Sequence, residues 1–150
     1  MPTSFFQAAV PTSIATSAVP VAVPFTQVLV GNDDGAFDPL VGLYTAPALG
    51  TYRFDCTVTL ALTGAGAFVT TVVFFVQGTP PVLQSQLSGI FQGGGTQSLS
   101  GSTLLQLLPG QQVGVACAVT PPPGGVASIA GPASPLSPPY PSVFSATSLF

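Results

Sequence analysis

The sequence has almost no charge and no histidine. One basic residue (Arg53) and four acidic residues stand among 150, so charged side chains make up 3% of the chain, against roughly 25% in ordinary soluble domains. A single arginine cannot neutralise the phosphates of a nucleic acid, so the composition argues against nucleic-acid binding. Without histidine or lysine, the usual general base, the Ser-His-Asp triad, the common zinc sites and a Schiff-base lysine are excluded. The sequence therefore predicts a protein that is not an enzyme.

Long apolar runs are also missing, although the mean hydropathy is +0.65 and 47% of the residues are hydrophobic. The most apolar stretch, residues 67–76, has half of the roughly 20 residues that a membrane-spanning helix needs. Its β-branched residues favour a buried strand instead. The first 25 residues contain four prolines and no basic residue, which is unlike a secretory signal. We therefore expect neither a membrane span nor a signal peptide.

The apolar residues recur with a period of two. In residues 51–60 the even positions are apolar and the odd positions are polar, and residues 113–119 repeat the pattern with valine and cysteine. Such alternation predicts strands that have one face against a core. Turn-forming residues, at 32–35 and 93–95 among others, separate such runs. The pattern predicts one all-β domain over residues 1–150, folded as an antiparallel sandwich, jelly roll or barrel.

One segment departs from this alternation. Residues 120–141 read TPPPGGVASIAGPASPLSPPYP, with eight prolines and no charged residue. Because proline cannot donate to a central sheet ladder, the segment is predicted to be a long ordered loop or arm within the domain. Its lack of charge favours docking of Ile129, Leu136 and Tyr140 against a neighbouring molecule.

The few charged residues fall into two groups, and each group has two interpretations. Asp33, Asp34 and Asp38 supply neighbouring carboxylates for a calcium site, or they belong to a polar turn in which aspartate bonds its own backbone. Arg53 and Asp55 are two residues apart on a predicted strand and so share a face. They form a surface ion pair, or Arg53 reaches an aspartate of a neighbouring subunit. The sequence indicates no other cofactor.

Four segments along the chain carry a family resemblance. Residues 28–47 resemble two successive strands of that family, and residues 50–54 (GTYRF) are similar to its G-x-Y-x-F signature. Residues 100–113 (SGSTLLQLLPGQQV) resemble its SGS-apolar-L-x-L segment, and residues 144–150 (FSATSLF) resemble its F-S-G-F-L ending. Together, and in this order, the segments resemble the globular C1q-type head of the C1q/TNF-like family.

The resemblance implies an antiparallel jelly roll of about ten strands that assembles into a homotrimer. It implies a recognition head, a secreted ligand or a surface protein. It also places the strands of Cys56 and Cys117 side by side in one sheet, where either a disulfide or two free buried thiols would fit. Tyr52, Arg53 and Phe54 are predicted to contact neighbouring subunits, with packing inside the core as the alternative for the two aromatic residues. Because Met1 lies just before the first predicted strand, we expect no collagen-like stalk.

These observations lead to one functional prediction and one alternative. An apolar, almost uncharged subunit suits an assembly better than a free monomer, so we expect a non-enzymatic, homotrimeric structural protein on the surface of an extracellular particle. A virion decoration or capsid-associated protein, or a spore or fibre coat component, fits this description, with a neighbouring coat, capsid or fibre protein as its partner. The alternative is an adhesion or receptor-binding head that recognises a glycan or a protein through its loops.

Overall fold

The computed structural model of the chain describes residues 4–32, 34–78, 81–132 and 141–149. These residues form thirteen strands and no helix, so the described part of the chain offers no helix that could cross a membrane. The strands are β1 (Phe5–Ala9), β2 (Ile14–Ala15), β3 (Val21–Ala22), β4 (Gln27–Gly31), β5 (Phe37–Asp38), β6 (Leu43–Thr45), β7 (Gly50–Thr63), β8 (Ala67–Val76), β9 (Val82–Gln92), β10 (Gly95–Leu107), β11 (Gln112–Thr120), β12 (Val126–Ile129) and β13 (Val143–Ser148).

The strands form two antiparallel sheets that enclose one core. Sheet A contains β10, β7, β12, β13, β2, β1 and β4, and sheet B contains β9, β8, β11, β3, β6 and β5. In sheet A the long strand β7 has β10 along one side, and β13 and β12 end to end along the other. In sheet B, β11 lies between β8 and the short strands β6 and β3. The predicted antiparallel β-sandwich is confirmed; thirteen strands replace the expected ten because β2, β3 and β5 have only two residues each.

The core lies between the sheets and is built largely from aromatic rings. The even-numbered side chains of β7, from Tyr52 to Leu62, are buried, as the alternation in the sequence predicts. Phe144 of β13 is fully buried at the centre of the core. The centroids of five other phenylalanine rings lie 5.2–6.4 Å from its own: Phe6, Phe25, Phe37, Phe54 and Phe74. Packing of these rings accounts for much of the apolar burial that holds the two sheets together.

On one side of the sandwich, the edge strands β9 and β10 face each other across the core. Leu87 of β9 lies over Gly101 of β10, where a Cβ atom would come within 2.6 Å of the leucine Cδ1. A larger residue at position 101 would therefore push the two strands apart. Among the described strands, β9 pairs only with β8 and β10 only with β7, so this side presents two unpaired sheet edges.

The proline-rich segment 120–141 contains a strand that the sequence does not predict. Val126–Ile129 forms β12, which pairs with both β7 and β2. Ile129 is 4% exposed and belongs to the core. The prolines at 121–123 all precede β12, so every residue of the strand keeps the N–H group that pairing on both sides requires. The prediction of one continuous loop is wrong for this strand, while residues 133–140 lie outside the described residues.

Candidate interaction surfaces

The outward side of sheet A, called here the outer face, is rich in hydroxyl groups. Across β7 and β10, the hydroxyl oxygens of Thr57 and Ser100 are 3.0 Å apart, and those of Thr59 and Ser98 are 2.8 Å apart. Such cross-strand pairs stabilise a sheet and satisfy each other's hydrogen bonds. The outward residues of the three central strands are Thr51, Arg53, Asp55, Thr57 and Thr59 on β7, Ser98, Ser100, Ser102, Leu104 and Gln106 on β10, and Ser145 and Thr147 on β13.

An ion pair interrupts this neutral face. Arg53 Nε lies 3.2 Å from Asp55 Oδ2, and both Nε and Nη2 of Arg53 lie 3.3 Å from Asp55 Oδ1. The side chains are 57% and 44% exposed, so water screens the attraction and the pair stabilises the fold by only about 0.5 kcal/mol. The predicted surface ion pair is confirmed. The predicted contact between Arg53 and a neighbouring subunit stays a prediction.

A recess lies on each side of the ion pair. One, of about 310 Å³, is lined by Asp55 together with Gln7 and Ser145 among others. The other, of about 260 Å³, is lined by Arg53 and by residues of β10 that include Ser102. The carboxylate therefore borders the β1–β13 side and the guanidinium borders the β10 side. Each charged group has room beside it for a group of another molecule.

The unpaired side of the sandwich, called here the flank, consists of β9 and β10 and carries no charge. Four partly buried apolar side chains pack against the core there: Leu87, Phe91, Leu99 and Leu105. Leu83 and Ile90 are largely exposed, and a recess of about 190 Å³ is lined by Gln84 and Gln106 among others. Neither strand contains proline or lysine, the residues that commonly protect a sheet edge. The flank is thus open to contact with another chain.

Among the predicted contact residues that are described, only Arg53 lies at the surface. Tyr52 (2% exposed), Phe54 (0%) and Ile129 (4%) are enclosed within a single chain. The prediction that they contact a neighbouring subunit is therefore wrong. Strand geometry explains the difference for β7, because residues 52 and 54 share the inward face and residue 53 points outward. Sequence reasoning missed the flank, although the alternating serines of β10 mark its outward side.

Two of the three predicted calcium ligands are described, and both take part in turns. Oδ1 of Asp34 and Oδ1 of Asp38 each accept a hydrogen bond from the backbone N–H two residues further on, at 3.1 and 2.9 Å, as aspartates in turns commonly do. Asp33, Leu136 and Tyr140 lie outside the described residues. No three Asp, Glu, His or Cys side chains form a metal-binding group within the described ranges. The calcium site stays a prediction.

Cys56 and Cys117 lie in different sheets, in β7 and β11 respectively. The prediction that their strands are neighbours in one sheet is wrong, because β7 and β11 have no pairing with each other. Of the two states that the sequence left open, the structure has the free, buried thiols. Burial raises the pKa of Cys56 to about 12 and that of Cys117 to about 11. Neither thiol is therefore a thiolate nucleophile at neutral pH.

We expect both thiols to be unreactive in the folded protein and fully reactive after denaturation. Treatment with DTNB at mildly alkaline pH should label neither Cys56 nor Cys117 in the native state, because both are buried and protonated. In guanidinium chloride, without reductant, both should be labelled. Failure of the denatured, unreduced chain to react would indicate a disulfide and contradict the free state.

Known proteins share this architecture. The family model of the C1q domain matches residues 5–131. The globular domain of zebrafish complement 1qA protein aligns with a TM-score of 0.66 and 18% sequence identity, over 98% of this chain and 98% of that one. The Eiger TNF from S. frugiperda aligns with a TM-score of 0.65 and 10% identity, over 100% of this chain and 94% of that one. Comparison with curated protein sequences finds no match. At these identities, the likeness to the two structures shows a common fold.

Proposed function

This chain is a member of the C1q domain family, and from that premise we propose that it is a non-enzymatic structural module that assembles into a homotrimer on the surface of an extracellular particle. The proposed role is that of a virion decoration or capsid-associated protein, or of a spore or fibre coat component. Its partner is then a neighbouring coat, capsid or fibre protein. The lack of histidine and lysine and the buried, protonated thiols support a role without catalysis.

The observation that carries the proposal is the flank. Its two strands, 11 and 13 residues long, contain no charged residue and no proline, and aliphatic side chains such as Leu83 and Ile90 extend from it into solvent. Unpaired edges and exposed apolar side chains of this kind favour association with another chain. The flank and the outer face are different surfaces of one subunit. A contact between them is head-to-tail and closes into a ring when the rotation between subunits permits.

Light scattering on the purified chain is expected to give three times the subunit mass of 15.0 kDa. The physical reason is that a closed ring covers the flank of every subunit, whereas a monomer leaves it in water. The same measurement with a chelator tests the predicted calcium site, since loss of the trimer on chelation would support calcium binding. A monomeric mass across the accessible concentrations would contradict the homotrimer.

Attachment to a particle separates the coat role from the alternative of an adhesion or receptor-binding head. A coat component should copurify with its particle and resist mild washing, because neighbouring subunits hold it on several sides. A receptor-binding head should instead be recovered free and should bind a cell surface or a glycan array. Release of the chain by a mild wash would contradict the coat role.

A further inference from the structure

A contact across the core shows how β9 is aligned with the ion pair of β7. Gly101 of β10 pairs with Cys56, the residue after Asp55. Leu87 of β9 lies directly over Gly101. Leu87 is therefore level with Cys56 along the sandwich, and its neighbour Gln86 is level with Asp55.

Gln84 is level with Arg53 for the same reason. Gln84 lines the recess beside Gln106, and Gln106 pairs with Thr51 near the start of β7. The strands β9 and β7 therefore run in the same direction. Two residues back from Gln86 and Asp55 on their respective strands are Gln84 and Arg53. One glutamine on the flank thus corresponds in height to each charged residue on the outer face.

The four side chains have complementary hydrogen-bonding groups. Arg53 directs Nε and Nη2 at Asp55, which leaves Nη1 as a donor for another partner. The Asp55 carboxylate retains lone pairs on both oxygens. Both glutamines are exposed, and an amide offers a carbonyl acceptor for arginine and an NH₂ donor for aspartate. A neutral amide partner satisfies both charges without bringing a further charge into the contact, which would add a desolvation cost.

Within one chain these groups belong to different surfaces, whereas a second copy brings them together. Rotation about an axis along the strands leaves every residue at its own height, so the flank of one subunit meets the outer face of the next at the same level. We propose that Gln84 and Gln86 of one subunit bond Arg53 and Asp55 of the next and so fix the register of the contact. This inference rests on the proposed homotrimer.

The variant Gln86→Glu tests the contact, because it places a carboxylate against Asp55 of the next subunit. Juxtaposed like charges oppose association, so the subunit concentration at which the trimer dissociates should rise by about tenfold or more. The matched control is Gln92→Glu, which adds the same charge on the same strand and the same side, away from the ion pair. It should dissociate like the wild type. Sedimentation equilibrium over a concentration series measures both, and far-UV circular dichroism checks that each variant is folded.

A second substitution separates a specific contact from a general effect of charge. Adding Asp55→Asn to Gln86→Glu removes one of the two facing carboxylates, and it should restore the dissociation of the wild type. Equal behaviour of the Gln86→Glu and Gln92→Glu variants, or no recovery with Asp55→Asn, would overturn the contact while leaving the trimer in place. A monomeric wild type would overturn the proposed function and this contact with it.

Discussion

Replacement of Phe144 by alanine is expected to lower the free energy of unfolding by about 3–5 kcal/mol. The Phe144 ring is fully buried and packs against five other phenylalanine rings from both sheets. Those rings are held by their own strands, so they cannot close the cavity that alanine would leave. Because domains of this size are stable by only about 5–15 kcal/mol, the variant should be close to its unfolding transition at ambient temperature. Urea unfolding followed by far-UV circular dichroism measures the loss.

Two further variants show whether the loss comes from the cavity. Leu40→Ala removes an apolar side chain that is 88% exposed, and it should change the free energy of unfolding by no more than about 0.5 kcal/mol. Phe144→Leu retains much of the buried volume and should lose less than Phe144→Ala. Similar losses for Phe144→Ala and Leu40→Ala would show that Phe144 is not central to the core.

Strands with one face against the core are predictable from the sequence, because alternation records burial directly. Residues 51–60 and 113–119 show this pattern, and they lie within β7 and β11. Strand β12 was missed because its four residues, VASI, are too few to show a period. Its pairing with β7 and β2 determines its conformation, and such pairing between distant segments leaves no local pattern.

The same parity rule explains which parts of the candidate surfaces could be predicted. Position 53 differs in parity from 52 and 54, so alternation alone places Arg53 outward and the two aromatic residues inward. Their selection as contact residues followed residue type instead of parity. Parity also places Cys56 and Cys117 inward, as observed. It cannot say which sheet each strand joins, and the edge position of β9 likewise depends on strand order.

Raising the pH above about 9 is expected to destabilise the fold through its buried thiols. Burial raises the pKa of Cys56 from 9.0 to about 12 and that of Cys117 from 9.0 to about 11. Below pH 9 both states keep the thiol protons, so these groups leave stability unchanged. Above it the unfolded chain releases protons that the folded chain retains, and stability falls by about 1.4 kcal/mol per pH unit for each thiol. The fall from each thiol ends as the pH passes its folded-state pKa, so the combined loss at pH 11 is about 5 kcal/mol.

Alkaline unfolding is easy to interpret in this chain because it has no lysine, the group that usually titrates in the same range. Urea unfolding at a series of pH values, in the presence of reductant, should show the falling stability. The double variant Cys56→Ala/Cys117→Ala removes both thiols, so its stability should fall much less between pH 9 and 10. Above pH 10 a contribution from Tyr44 should remain, since burial raises the pKa of its hydroxyl from 10.0 to about 12. An equal fall for the wild type and the double variant would show that the thiols are not the cause.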